Sequence, residues 1–138
     1  EKKTTYRFRD GVRQKDELCF VALDKKDKLV GTIRFWPVQS SLGKPALLLG
    51  PLAVDEHFLG HGCGLALMNA GIDQARKYGE ELIILIGDQI YYGKVGFQRT
   101  APGHFQFPGP VDPDRILALE LTPSSLEKAA GALTPFKA

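Results

Sequence analysis

Leu59-Gly-His-Gly-Cys-Gly64, followed by Leu65-Ala-Leu-Met-Asn-Ala-Gly-Ile-Asp-Gln-Ala-Arg-Lys-Tyr78, is the stretch on which the fold turns. Its second part has helical spacing, with Leu65, Met68, Ile72 and Ala75 on one stripe and Asn69, Asp73, Arg76 and Lys77 elsewhere. Asp73 and Lys77 form a favourable i,i+4 pair, Arg76 and Lys77 suit the negative C-terminal end, and Gly79 supplies the stop. These signals predict a helix from Gly62 to Tyr78. The first part is a glycine loop feeding that helix, whose N-terminal N–H groups and positive dipole end collect a phosphate. Leu82-Ile-Ile-Leu-Ile86 beyond it is apolar throughout, as a strand covered on both faces is. Before the loop, Ala46-Leu-Leu-Leu49 and Leu52-Ala-Val54 read as one long strand broken by Gly50-Pro51, which points to a bulge or an unpaired stretch. Strand, helix, strand in this order is a βαβ unit with parallel strands.

Outward from that unit, Leu18-Cys-Phe-Val-Ala-Leu23 and Leu29-Val-Gly-Thr-Ile-Arg-Phe-Trp36 read as strands around the charged turn 24–28, an antiparallel hairpin, and Pro37 to Lys44 as a loop. Downstream come a short Tyr-rich segment, a Pro/Gly-rich loop from Pro102 to Pro113, a strand Ile116 to Leu121 and a weak final helix, Ser124 to Ala132. The expectation is one α/β domain over residues 1–138. At 138 residues, 43% hydrophobic and 25% charged, the chain is neither a disordered tail nor a disulfide-built miniprotein. Its longest uncharged apolar stretch, Pro45 to Val54, is far below the roughly 18–20 residues of a spanning helix, and no apolar leader opens the chain, so a soluble protein is expected. A net charge of +2 gives no general field for nucleic acid or anionic membrane. The basic excess lies near the N-terminus, where a solvated start is the simpler reading. Cys19 and Cys63 stand in different contexts, which favours reduced thiols and a cytoplasmic setting. The sequence opens on Glu1, so an upstream segment is expected to have been removed or processed.

Three motif readings of the glycine loop fail. A P-loop needs Lys then Ser/Thr after its last glycine, and Leu65-Ala66 follow Gly64. A dinucleotide fingerprint needs a third glycine at 65 or 67, and both are leucines. His57, His61 and Cys63 could be drawn as metal ligands, but no acidic fourth ligand or catalytic Glu stands beside them, so no metal is expected. A connecting turn with no ligand remains the plain alternative.

Val54-Asp-Glu-His-Phe-Leu-Gly-His-Gly-Cys-Gly-Leu-Ala-Leu-Met68 resembles motif A of the GCN5-related N-acetyltransferases, whose signature is Gln or Arg, two residues, Gly, one residue, then Gly or Ala; Gly62 and Gly64 match. Tyr91-Tyr-Gly-Lys-Val-Gly-Phe97 is similar to the family's second landmark, an aromatic, a tyrosine, three residues and Gly-Phe. Gly87-Asp-Gln-Ile-Tyr-Tyr92 looks most like the YhbS-type branch, and the resemblance runs from Leu18 to Leu121. It implies a GNAT-like mixed, mostly antiparallel sheet whose central parallel strands splay apart, flanked by helices. It also implies acetyl-CoA as cosubstrate, its pantetheine between those strands and its pyrophosphate on the loop amides. The implied contacts are Leu52, Ala53 and Val54 on the strand, with a backbone N–H of Leu52 or Ala53 reading the acyl carbonyl, and Leu59, Gly60, His61, Gly62, Cys63, Gly64 and Leu65 on the loop. Tyr92 matches the tyrosine that protonates the leaving thiolate.

The implied reaction carries an acetyl group directly to a primary amine of a small molecule or peptide, through a tetrahedral intermediate, in a monomer or homodimer. Three departures qualify the likeness. Leu59 stands where the family has Gln or Arg and His61 at a second basic position, so phosphate binding rests mainly on backbone. About seventeen residues precede Leu18, so most of the family's N-terminal strand and helix is missing. The strand Ala46 to Val54 holds no acid or histidine, which leaves Glu56, Asp88 and His104 as guesses for the base, unassigned. An acyl-cysteine on Cys63, its pKa lowered by the helix N-terminus, is conceivable but less apt than close packing. Phe35, Trp36, His104, Phe105 and Phe107 line an acceptor pocket or belong to the core. The reading from another class is a non-catalytic acyl-CoA-binding or sensing module, which would tolerate loss of Tyr92.

Overall fold

A computed structural model of the chain describes residues 12–16, 18–58 and 62–135. Among them run β1 (Val12–Asp16), β2 (Cys19–Leu23), β3 (Leu29–Ser40), β4 (Pro45–Val54), helix α1 (Cys63–Lys77) and β5 (Leu82–Ile86). One-turn helix α2 (Gln89–Tyr92), β6 (Gln98–Arg99), β7 (Phe105–Gln106), β8 (Ile116–Glu120), one-turn helix α3 (Ser125–Lys128) and β9 (Gly131–Pro135) follow. The strand order is β1-β2-β3-β4-β5-β8-β6, with β9 joined to β3 and β7. β4–β5 and β7–β9 are parallel; β1–β2, β2–β3, β5–β8, β6–β8 and β3–β9 are antiparallel. The sheet is thus mixed and mostly antiparallel, as expected.

The residues group into two compact units. The first holds Glu1–Phe35 and Gly50–Lys77. Its hairpin pairs Phe20 with Ile33 and Ala22 with Gly31, and the Asp24 carboxylate caps the turn by accepting from the N–H groups of Lys26 and Lys28 at 2.8 and 2.9 Å. Against this hairpin α1 buries Cys63, Leu67, Met68, Ile72 and Ala75. Met68, Ile72 and Ala75 of the predicted stripe are buried as expected, Leu65 is half-buried, and the buried face extends to Leu67, which is fully enclosed. β1, read as part of a solvated start, pairs with β2, whose apolar residues supply the partner that its own charged sequence does not advertise.

The second unit holds Trp36–Leu49 and Tyr78–Ala138. Its centre is β5, which pairs with β8 from Leu82–Glu120 to Ile86–Ile116 and with β4 at Leu47–Ile83 and Leu48–Ile84. Val38, Ala46, Ile84, Phe105, Ala118 and Leu133 meet in its core. Two expectations are corrected here. Pro37 to Lys44 is not all loop: β3 continues to Ser40, because Val38, Gln39 and Ser40 find β9 as a partner. The final helix is one turn, Ser125–Lys128, and the segment after it is a strand, held by β3 and β7.

β4 carries the irregularity foreseen at Gly50-Pro51. Ser40 N donates to Lys44 O and Asp55 N donates to Val30 O, so the ten steps from Val30 to Ser40 face the eleven from Lys44 to Asp55. One residue between Lys44 and Asp55 is therefore extra, as in a bulge. Gly50 takes φ 142°, a conformation that glycine alone adopts readily.

Candidate functional site

In the first unit the anion loop enters α1 through Gly62, whose φ of 82° lets the chain turn into the helix where a side chain would be strained. The bond from Ala66 N to Gly62 O, 2.9 Å, opens the helical ladder there, so the N–H groups just before Ala66 have no helical acceptor and face outward along the axis. That is the geometry of an anion seat. Cys63 and Gly64 are buried and Gly62 and Leu65 half-buried. Leu59, Gly60 and His61 lie outside the described residues. The Cys63 side chain is 1% exposed and burial pushes its thiol up to about 11, so desolvation overrides the lowering expected of a helix N-terminus. A thiol raised in this way is mostly protonated at neutral pH, which weakens it as a nucleophile.

The end of β4 precedes this loop. Leu52 and Val54 are half-buried and Ala53 exposed. Ala53 O lies 3.2 Å from where a Cβ on Gly31 of β3 would stand, and Asp55 N donates to Val30 O of the same strand. Odd-numbered residues of this segment therefore turn their peptide groups towards β3, and by the alternation of a strand Leu52 turns its N–H and C=O away from it. Glu56 is exposed in a single turn, Glu56–Phe58, and the N–H of His57 is held by the Asp55 carboxylate at 2.9 Å.

In the second unit Tyr92 ends α2 with its ring half-buried. A Cβ on Gly87 would stand 2.5 Å from its Cε2, so the tyrosine packs onto a backbone that only glycine leaves bare. Tyr91 and Phe97 meet it edge to face at 5.0 and 6.2 Å, and the Lys94 ammonium lies 5.5 Å above the Tyr91 ring. Two polar clasps hold this turn: the Asp88 carboxylate caps α2 by accepting from Ile90 N at 3.0 Å, and Gln89 Nε2 donates to Phe97 O at 2.8 Å. Burial raises the Tyr92 pKa, partly offset by the Arg115 cation, so the phenol keeps its proton.

Two of the three guessed bases, Asp88 and His104, have other duties. Asp88 is the cap just described. Nε2 of His104 lies 2.9 Å from Leu126 O and 2.7 Å from Ala129 O; between two acceptors that nitrogen carries the hydrogen, and the ring ties the α3 segment down. Phe35 and Phe105 are core at 2% and 3% exposure, whereas Trp36 is 48% exposed and Phe107 half-buried. Gly31 and Gly71 carry no signal in the sequence, and Gly87 is marked there only by its motif; the value of all three is the space they leave, which spacing alone does not reveal.

The acetyltransferase (GNAT) family matches residues 1–97. The chain is 33% identical over 86 residues to the uncharacterized N-acetyltransferase YhbS of Escherichia coli, a match covering 61% of this chain and 51% of that one. It therefore spans about half the length of the curated relatives it matches. The crystal structure of the E. coli GNAT family N-acetyltransferase YhbS in complex with CoA superposes with a TM-score of 0.78 at 26% identity, over 97% of this chain and 74% of the other. A GNAT family acetyltransferase from Brucella melitensis in complex with acetyl-CoA gives 0.56 at 30% identity, over 73% and 64%.

Proposed function

Since the chain belongs to the acetyltransferase (GNAT) family, we propose that it moves an acetyl group from acetyl-CoA directly to a primary amine of a small molecule or peptide. The observation that carries this reading is the opening of α1, where Gly62 turns the chain and the first N–H groups are left without helical acceptors, as a phosphate seat requires. In this reading Gly62, Cys63, Gly64 and Leu65, with Leu59, Gly60 and His61 before them, receive the pyrophosphate through backbone amides. The crystal structures of YhbS with CoA and of the Brucella relative with acetyl-CoA support the choice of cosubstrate. Of the two N–H groups considered for the acyl carbonyl, the strand alternation favours Leu52, because Ala53 faces β3; Val54 flanks the pantetheine.

The amine, once deprotonated, attacks the thioester carbonyl carbon, and the Leu52 N–H stabilises the oxyanion that forms. As the C–S bond breaks, the Tyr92 hydroxyl gives its proton to the departing thiolate. Its raised pKa keeps that proton available at neutral pH. The two free, buried cysteines suit a reducing compartment, and the proposal extends to the cytoplasm. No helix among the described residues is long and apolar enough to cross a membrane.

Thermal melts with saturating coenzyme A test the cosubstrate, since a ligand selective for the native state must raise the midpoint. An unchanged midpoint, with 3′,5′-ADP equally silent, overturns the proposal. Release of coenzyme A from acetyl-CoA across a panel of amines, amino acids and peptides then tests transfer. Binding without turnover on any of them favours the sensing module instead.

A further inference from the structure

Gly31 is the third residue of β3, inside a strand, where the residue type weakens pairing, and its φ is not in the left-handed region. What it supplies is space. A Cβ there would stand 2.9 Å from Cys63 Sγ, 3.0 Å from Leu67 Cδ1 and 3.2 Å from Ala53 O. Those atoms belong to the first residue of α1, to its second turn and to the end of β4. Neither side chain has room to withdraw, since Cys63 is 1% and Leu67 0% exposed, and the third atom is backbone. A reciprocal contact lies further along: a Cβ on Gly71 of α1 would overlap Phe35 of β3, with Cζ 2.5 Å away. The four steps along the strand from Gly31 to Phe35 span about 13 Å. The eight steps along the helix from Cys63 to Gly71 span about 12 Å. Two matched contacts thus pin the helix along the strand, and the one at Gly31 sets the depth of its N-terminal turn.

We infer that Gly31 is a positioning residue for the coenzyme A site: by lacking a side chain it seats the first turn of α1 on β3 beside the β4 backbone. The inference rests on the proposed cosubstrate. The atom closest to the missing Cβ is the Cys63 sulfur, so removing that sulfur must relieve the damage of adding a methyl group at 31. Calorimetric titration of coenzyme A into wild type, Gly31→Ala and Gly31→Ala/Cys63→Ala, each checked for folding by circular dichroism, decides it. We expect Gly31→Ala to weaken binding about tenfold and the double variant to recover about threefold or more of that loss. A purely structural role would lower the melting temperature of Gly31→Ala and leave its affinity intact. A folded Gly31→Ala protein that binds as wild type does overturns the inference while the cosubstrate stands. If Gly31→Ala does not fold, the double variant carries the test: it must fold and bind within about tenfold of wild type, and failure of either overturns the inference. A wild-type protein that does not bind coenzyme A removes the cosubstrate, and the inference with it.

Discussion

The Tyr92 hydroxyl and the Cys63 thiol are shifted the same way by the same cause, burial of a group that ionises to an anion, with opposite consequences for chemistry. For a general acid, a raised pKa preserves the proton to be given. Tyr92→Phe keeps the ring that packs on Gly87 and Phe97 and removes only the hydroxyl. Turnover of that variant should fall about ten- to a thousandfold with coenzyme A affinity little changed, since the proton moves only in the transition state. Pre-steady-state turnover beside calorimetry checks both halves, and undiminished turnover would remove the assignment. For a nucleophile the raised pKa is disabling, so native Cys63 should resist iodoacetamide at pH 8 and be modified at once in denaturant. The linkage has a definite sign. A thiol favoured as the neutral form in the fold contributes stability that is whole below its ordinary pKa and is lost as pH rises towards about 11. Cys63→Ala should flatten that alkaline loss in a pH series of urea melts, and an unchanged slope would count against the burial argument.

Helix α1 against β3 shows how element packing is decided by magnitudes. Placing alanine at Gly71 improves helix propensity by about 1 kcal/mol. The same methyl group overlaps Phe35, which is 2% exposed in a close-packed core, and overpacking of this kind costs about 1–3 kcal/mol. The overlap outweighs the propensity gain, so Gly71→Ala should lower stability by up to about 2 kcal/mol, and Phe35→Leu in the same chain should restore part of it; a stabilised Gly71→Ala protein in denaturant melts would refute this packing. Such contacts mark the limit of what the sequence discloses. The helical stripe, the Gly79 stop and the run Leu82 to Ile86 were legible because period and punctuation are local signals. β9 was not: Ser124 to Ala132 has the alanine and lysine of a helix, yet Gly131 to Pro135 is drawn into pairing with β3 and β7, and partners decide where propensity is weak. β1 failed for the same reason. The glycine turn into α1 at Gly62 and the place of Tyr92 just beyond β5 were legible because motif spacing is also local. The roles of Gly31 and Gly87 were not, because they depend on which distant side chain comes close.

Across the chain, the division into two units falls inside strands and not in linkers. β3 passes from one unit to the other between Phe35 and Trp36, and β4 between Leu49 and Gly50, with neither crossing marked by a break in the strand. We therefore propose that the described residues form one cooperative domain, and two native reporters can test it. Trp36, the single tryptophan, belongs to one unit, and Cys63 with its buried thiol belongs to the other. In urea, tryptophan fluorescence and the alkylation of Cys63, read by mass spectrometry after a short pulse, should give the same midpoint. Coenzyme A adds a second criterion. Its proposed phosphate seat lies at the start of α1 in the Cys63 unit, yet in a two-state domain saturating ligand must raise the Trp36 midpoint by the same amount as the Cys63 midpoint. Separate midpoints, or a ligand shift confined to the Cys63 reporter, would show that the two units unfold independently and that the shared strands do not bind them into one transition.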